Sequence, residues 1–180
     1  MHSWRQRGIV AGFTALGLLL ALAVADIANP PDLTRARAVS PEVVDRNGVL
    51  LRAFLSPDGY WRMQTNVGDV SPRYLAMLKA YEDRRFDSHF GIDPAAMARA
   101  ALQWAGAGHI VSGGSTLTMQ VARLIEGGST HGLPEKLRQM VHAQVLEGQL
   151  SKQQILDLYL TLAPYGGNIE GIRAASLAYF

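Results

Sequence analysis

Apolar residues recur at helical spacing from residue 71 onward, while the segment before it alternates over short runs bounded by Gly, Pro and Asn, so the pattern predicts a small β lead-in and a mainly helical domain. Ser71 and Pro72 open the first of these helices as N-cap and first-turn proline. Leu75, Leu78 and Glu82 then fall at i, i+3 and i+7, which puts Glu82 on the apolar face. A carboxylate there is either desolvated or lines a cleft, where it can take a proton from a hydroxyl. The plainer reading is that it closes the helix and pairs with Arg84 or Arg85.

Asp93-Pro94 caps a second helix that runs to about Trp104. A third follows Gly113-Gly114, with Ser115 as its N-cap and Leu117, Val121 and Leu124 as its apolar stripe. Thr116, Gln120 and Arg123 recur at i, i+4 and i+7 on its polar face, and the free N–H groups at its glycine-flanked start suit a phosphate or a sugar. No Lys follows Gly114, so this is not a P-loop. Two more helices are predicted, from about Pro134 to Leu150 and from Ser151 to Leu162, the second with a Ser151/Gln154 capping box. Tyr165-Gly166-Gly167-Asn168 turns the chain into a last helix that reaches Phe180 uncapped; its Ile172, Ala175 and Leu177 need a partner surface.

Upstream, Val43 to Leu51 reads as a hairpin with Asn47-Gly48 in a type I′ turn, and Tyr60 to Gln64 as a further strand of the same antiparallel sheet. Gly8 to Ala25 is uncharged and mostly apolar, about 27 Å as a helix against a hydrocarbon core of about 30 Å. Arg5 and Arg7 before it place the N-terminus in the cytoplasm and everything after Asp26 outside. Ala23-Val24-Ala25 also suits leader cleavage, so the residues leave anchor and signal peptide open; either way the domain is exported. The expected division is 1–28 cytoplasmic tail and transmembrane anchor, 29–70 linker and hairpin connector, and 71–180 catalytic domain.

With 180 residues there is room for one modest domain, and a net charge of +2 suits an anionic headgroup or a pyrophosphate. No Lys/Arg stripe interleaves with aromatics, which sets nucleic acid aside, and the absence of Cys excludes disulfides and thiol chemistry. Gly106 to Ser112, glycine-rich and apolar, suits either a membrane-contacting guide for a lipid substrate or an ordinary surface loop.

The residues from Glu82 to Gly91 follow the pattern EDxxFxxHxG, and Gly113 to Gln120 follow GGSTxTQQ with Met119 in place of the first Gln. Together they resemble the first two motifs of the peptidoglycan glycosyltransferases of glycosyltransferase family 51, the domain of class A penicillin-binding proteins. The third motif, RKxxE, is matched in part: Glu135 takes the Arg position, Lys136 matches, and Gln139 stands where the Glu belongs. Lys152, Ile155, Leu156, Tyr159 and Leu160 follow the fourth, KxxILxxYLN, with Thr161 for Asn. A fifth, Arg-Arg motif and a transpeptidase SxxK segment do not occur in the chain.

The resemblance spans roughly residues 40 to 180. It implies a mainly α, lysozyme-like glycosyltransferase domain, C-terminally incomplete, behind an uncleaved single-pass anchor in the bacterial inner membrane, with the domain in the periplasm. The implied partners are lipid II, the growing glycan strand, the membrane and other cell-wall synthesis proteins. The implied reaction is inverting transfer from an undecaprenyl-pyrophosphate-linked donor to the 4-hydroxyl of lipid II, with Glu82 as the base. Ser115, Gln120, Arg123, Lys136, Arg138 and Gln139 are implied to bind substrate, and Asp83, His89 and Thr118 to support the site. Helical spacing puts Lys136 and Gln139 on one face and Arg138 about 200° from Lys136, which favours Lys136 as the site cation. No metal-ligand set is expected; a divalent cation (Mg or Mn) stays open, though Gln139 is a weaker ligand than Glu. The rival readings are a lytic transglycosylase of lysozyme type and an inactive membrane-anchored fragment.

Overall fold

The computed structural model describes residues 30–108, 113–127 and 132–180. The expected anchor over Gly8 to Ala25 and the end of the Gly106 to Ser112 segment lie outside those residues. Among the described residues no helix is long and apolar enough to cross a membrane.

The domain is mainly helical with two small sheets, and its centre is α4 (Leu117–Glu126), which follows α1 (Thr34–Arg37), α2 (Pro72–Glu82) and α3 (Pro94–Ala107). Leu117, Thr118, Met119, Val121, Ala122 and Ile125 of α4 are all buried. It packs on α5 (Leu133–Gln149) and α6 (Lys152–Leu162), whose Leu146, Ile155, Leu160 and Leu162 complete the core. Ten residues in isolation would not hold a helix, so α4 exists because each buried Leu, Ile or Val contributes about 1.5–3 kcal/mol of burial. The capping predicted for α3 and α6 is present: Asp93 accepts from Ala96 N–H, and Ser151 and Gln154 form their reciprocal box.

Four sequence expectations are corrected. The hairpin of β1 (Glu42–Val44) and β2 (Leu50–Ala53) is antiparallel, but its turn is not type I′, which needs positive φ at both central residues. Only Gly48 has it (φ 81°), and the Asp45 carboxylate accepts from Asn47 and Val49 N–H, giving a wider turn built on Asp45. The third strand, β3 (Trp61–Arg62), does not join that hairpin. It lies parallel to β5 (Ile169–Glu170), which pairs antiparallel with β4 (Pro164–Gly166), so the stretch expected to be a plain turn before the last helix, α7 (Ile172–Tyr179), forms strands. The N-cap of α4 is Thr116, whose Oγ accepts from Met119 N–H, and not Ser115. Thr116 is therefore buried and leaves the polar face it was expected to share with Gln120 and Arg123.

The pairing of β3 with β5 sets Arg62 beside Glu170 in a closed ionic cluster. Arg62 is fully buried; its Nε donates to Glu170 at 2.6 Å, its Nη2 to Asp58 at 2.7 Å, and its Nη1 to the Arg35 and Ala38 carbonyls at 2.9 and 2.7 Å. On the last helix Ala175 is buried and Ile172 packs on the core, while Leu177 is exposed.

Candidate active site

Glu82 is the last residue of α2, and the chain leaves the helix at Asp83, whose N–H bonds Lys79 O while its backbone extends (φ −157°, ψ 81°). The same turn is held from below. The buried Asp83 carboxylate accepts from Leu117 N–H at 2.9 Å, at the start of α4, and from His89 Nε2 at 2.9 Å. With both Asp83 oxygens as acceptors, the His89 nitrogen that donates to them is Nε2. Phe86 is buried and meets the His89 ring edge-on. Gly91 has φ 78°, and a Cβ there would lie 2.8 Å from the Ala143 carbonyl carbon, so only glycine lets the loop reach α5. Thr116 Oγ locks that approach by donating to Gly91 O at 2.6 Å.

A second set of bonds reaches the loop from α5 and α6. Lys152 Nζ donates to His89 O at 2.7 Å and to Glu147 at 2.6 Å, and Glu147 also accepts from Thr118 Oγ at 2.7 Å. Asp83 and His89 are thus bonded into the turn that follows Glu82, and Thr118 reaches that turn through Glu147 and Lys152.

Glu82 itself is half-buried at the divide between two open hollows. One, of about 460 Å³, is walled by Ser115, Gln120, Arg123, Lys136 and Gln139. The other, of about 530 Å³, carries Arg84, Arg85 and Arg99 with Asp93. Arg85 is engaged by Asp93 and not by Glu82, and its hydrogen bonds hold the Asp93 carboxyl below the usual carboxylate range. Gln120 Nε2 donates to Glu82 Oε2 at 3.0 Å, which aims the carboxylate.

Across the first hollow Lys136 Nζ donates to Ser115 Oγ. Burial, and then the neighbouring Arg123 charge, push the Lys136 ammonium below its ordinary value. Among the described residues neither Arg123 nor Lys136 forms an ion pair. Two cations that face each other without a carboxylate between them make a receptor for an anion. The same wall is a poor match for Mg²⁺ or Mn²⁺: among the described residues Glu82 is its one carboxylate, and the Gln139 amide oxygen carries no charge.

The structure gathers five of the expected binding residues on this wall, Ser115, Gln120, Arg123, Lys136 and Gln139. Arg138 is elsewhere, exposed and 3.8 Å from Glu126. Two residues were not singled out for the site by sequence reasoning. Tyr159, on α6, has its hydroxyl pushed up to about 12, by burial first and then by the Glu82 charge, so it stays protonated behind the carboxylate. Glu147 joins Thr118 to Lys152. Its partners lie on two other helices, so no local spacing reveals it.

The sequence profile of the Transglycosylase family matches residues 47–180. The chain is 51% identical over 138 residues to penicillin-binding protein 1C of Escherichia coli, covering 76% of this chain and 18% of that protein. It is 34% identical to penicillin-binding protein 1A of Pseudomonas aeruginosa (66% of this chain, 14% of that protein) and 35% identical to penicillin-binding protein 1A of Aquifex aeolicus (66% and 16%). The chain therefore spans less than a fifth of the length of these relatives. With three quarters of its residues inside the match, and with the Glu82 turn and the Ser115 to Gln120 wall both within it, the chain belongs to the Transglycosylase family.

Proposed function

We propose that this chain carries the glycosyl-transfer site of a peptidoglycan glycosyltransferase that polymerises lipid II. The observation that carries the reading is Glu82: one aimed carboxylate standing between two hollows, with an unpaired Arg/Lys wall on one side. Glu82 takes the proton of the lipid II 4-hydroxyl as that oxygen attacks the anomeric carbon of the donor. The bond from that carbon to the undecaprenyl pyrophosphate breaks, and its electron pair leaves on the phosphate oxygen. Arg123 and Lys136 receive the developing charge, with Ser115 and Gln120 as donors nearby. Attack opposite the leaving group inverts the anomeric carbon.

A glycosidase of the lysozyme kind uses a pair of carboxylates across the bond to be cut. Here cations occupy the wall opposite Glu82, which supports transfer from a pyrophosphate over hydrolysis. The uncharged run Gly8 to Ala25 behind Arg5 and Arg7 supports placing the domain on the outer face of the bacterial inner membrane, next to its lipid-linked substrates. Glu82→Gln keeps the shape and removes the proton acceptor. Polymer formation from lipid II by the full-length protein is expected to fall by about 10³-fold in that variant with its folding unchanged, a scale set by general-base catalysis. Polymerisation near the wild-type rate would remove Glu82 from the mechanism.

A further inference from the structure

Arg35 sits on a four-residue helix at the start of the described chain, far in sequence from the cleft, yet it touches the helix that carries Gln120 and Arg123. Its Nη1 donates to Leu124 O at 2.8 Å. Leu124 O belongs to the last turn of α4, where carbonyls have no partner within the helix; Arg123 O is taken by Gly127 N–H, and Leu124 O is taken by Arg35. A cation at that end also opposes the negative pole of the helix. The other arm of the same guanidinium, Nη2, donates to Glu170 at 2.6 Å, and Glu170 is held in turn by the fully buried Arg62.

The Arg35 side chain thus spans from a fixed point in the ionic cluster to the residue next to Arg123. Its own backbone is fastened as well. Arg62 Nη1 holds the Arg35 and Ala38 carbonyls, Ala36 is buried in the core, and Tyr60 lies 5.4 Å beneath each of the two guanidinium groups. We infer that Arg35 is a positioning residue for the anion-binding wall: it fixes the C-terminal end of α4, and with it the place of Arg123, from the segment that enters the domain. The inference rests on the cleft reading of Arg123. A shift of that segment, by whatever is attached ahead of it, is transmitted to the cleft through one forked side chain, since a guanidinium reaches both acceptors at once and an ammonium does not.

Asp58 provides the control. It binds Arg62 in the same cluster and lies 3.9 Å from Arg35, but has no hydrogen bond to α4. Inorganic pyrophosphate binding by calorimetry, together with kcat and KM for lipid II in the full-length protein, is compared across Arg35→Gln, Arg35→Lys and Asp58→Asn. Arg35→Gln is expected to weaken pyrophosphate binding and lower kcat by about tenfold, the scale of a sub-ångström misplacement, with KM little changed. Arg35→Lys, which keeps the charge and the fold, is expected to recover part of both and to remain about threefold below wild type. Asp58→Asn is expected to leave both within about twofold while lowering stability, because it does not touch α4.

Wild-type pyrophosphate affinity and kcat in Arg35→Gln would overturn the inference. So would losses in Asp58→Asn that match those of Arg35→Gln at equal loss of stability. Should Arg35→Gln not fold, Arg35→Lys decides, and unchanged values there overturn it. A wild-type protein that binds pyrophosphate but makes no polymer would sink the transfer reaction and still leave this inference to be settled by the binding arm.

Discussion

Two regions of this domain are built from the same kinds of charged residue and end in opposite states. In the cluster around Arg62, two arginines meet two carboxylates, Asp58 and Glu170, and backbone carbonyls take up most of the N–H groups left over. In the cleft, among the described residues, Arg123 and Lys136 share their hollow with one carboxylate, Glu82, whose hydrogen bond comes from Gln120. The first arrangement is closed: its charges serve the fold and, through Arg35, brace the end of α4. The second holds a surplus of positive charge that burial and mutual repulsion make uncomfortable, as the lowered Lys136 shows. Charge left unmatched at a half-buried place needs a ligand to complete it.

The widest break between the two regions is expected from paired substitutions. Arg123→Met with Lys136→Met is expected to lower lipid II turnover by about 10²–10³-fold, the scale of removing preorganised charge from a transition state, while stability holds or rises because the repulsion is gone. Glu170→Gln is expected to cost about 3–5 kcal/mol of stability, since it leaves Arg35 and the buried Arg62 with Asp58 as the one carboxylate of the cluster. Turnover assays and urea unfolding of both sets check this; a cleft variant that unfolds like the cluster variant would erase the distinction. Below these, Asp83→Asn is expected to cost about 2 kcal/mol, because an amide cannot accept from both Leu117 N–H and His89 Nε2 without turning a donor on one of them.

The smallest effect sharpens the comparison through pH. An anion between Arg123 and Lys136 favours the charged form of the lysine, so its pKa rises on binding. Affinity is therefore expected to be full below the lowered Lys136 value and to fall as pH climbs through it toward 10.5, the ordinary lysine value. Lys136→Arg should abolish that decline, which calorimetry at several pH values would show. Stability runs the opposite way: the free domain gains as pH rises through the lowered value, because the unfolded lysine binds its proton more tightly.

How much of this was legible in the chain differs between the two regions. The cleft was largely readable: Glu82 stands at a helix end, Gln120 and Arg123 share a face of α4, Lys136 and Gln139 share a face of α5, and the resemblance added Ser115. The errors were local competitions between similar groups. Ser115 and Thr116 both carry hydroxyls, and Thr116 became the cap because Gly91 O accepts its proton, a contact 25 residues away. Arg138 fell on the face of α5 toward Glu126, as its angle from Lys136 suggested. The closed cluster was invisible. Arg62 and Glu170 are 108 residues apart on two-residue strands, too short to show a period, and their parallel pairing is a long-range event. The Asp45 turn was missed because Asn47-Gly48 carries a strong local signal that the Asp45 carboxylate overrides.

The central claim, that a single base and an unmatched cationic wall act on different parts of one reaction, is tested most directly by measuring two quantities in Glu82→Gln. Pyrophosphate affinity is expected to hold or tighten, since a negative charge beside the wall has been removed, while lipid II polymerisation is lost. Joint loss of both, or polymerisation at the wild-type rate with pyrophosphate still bound, would contradict it.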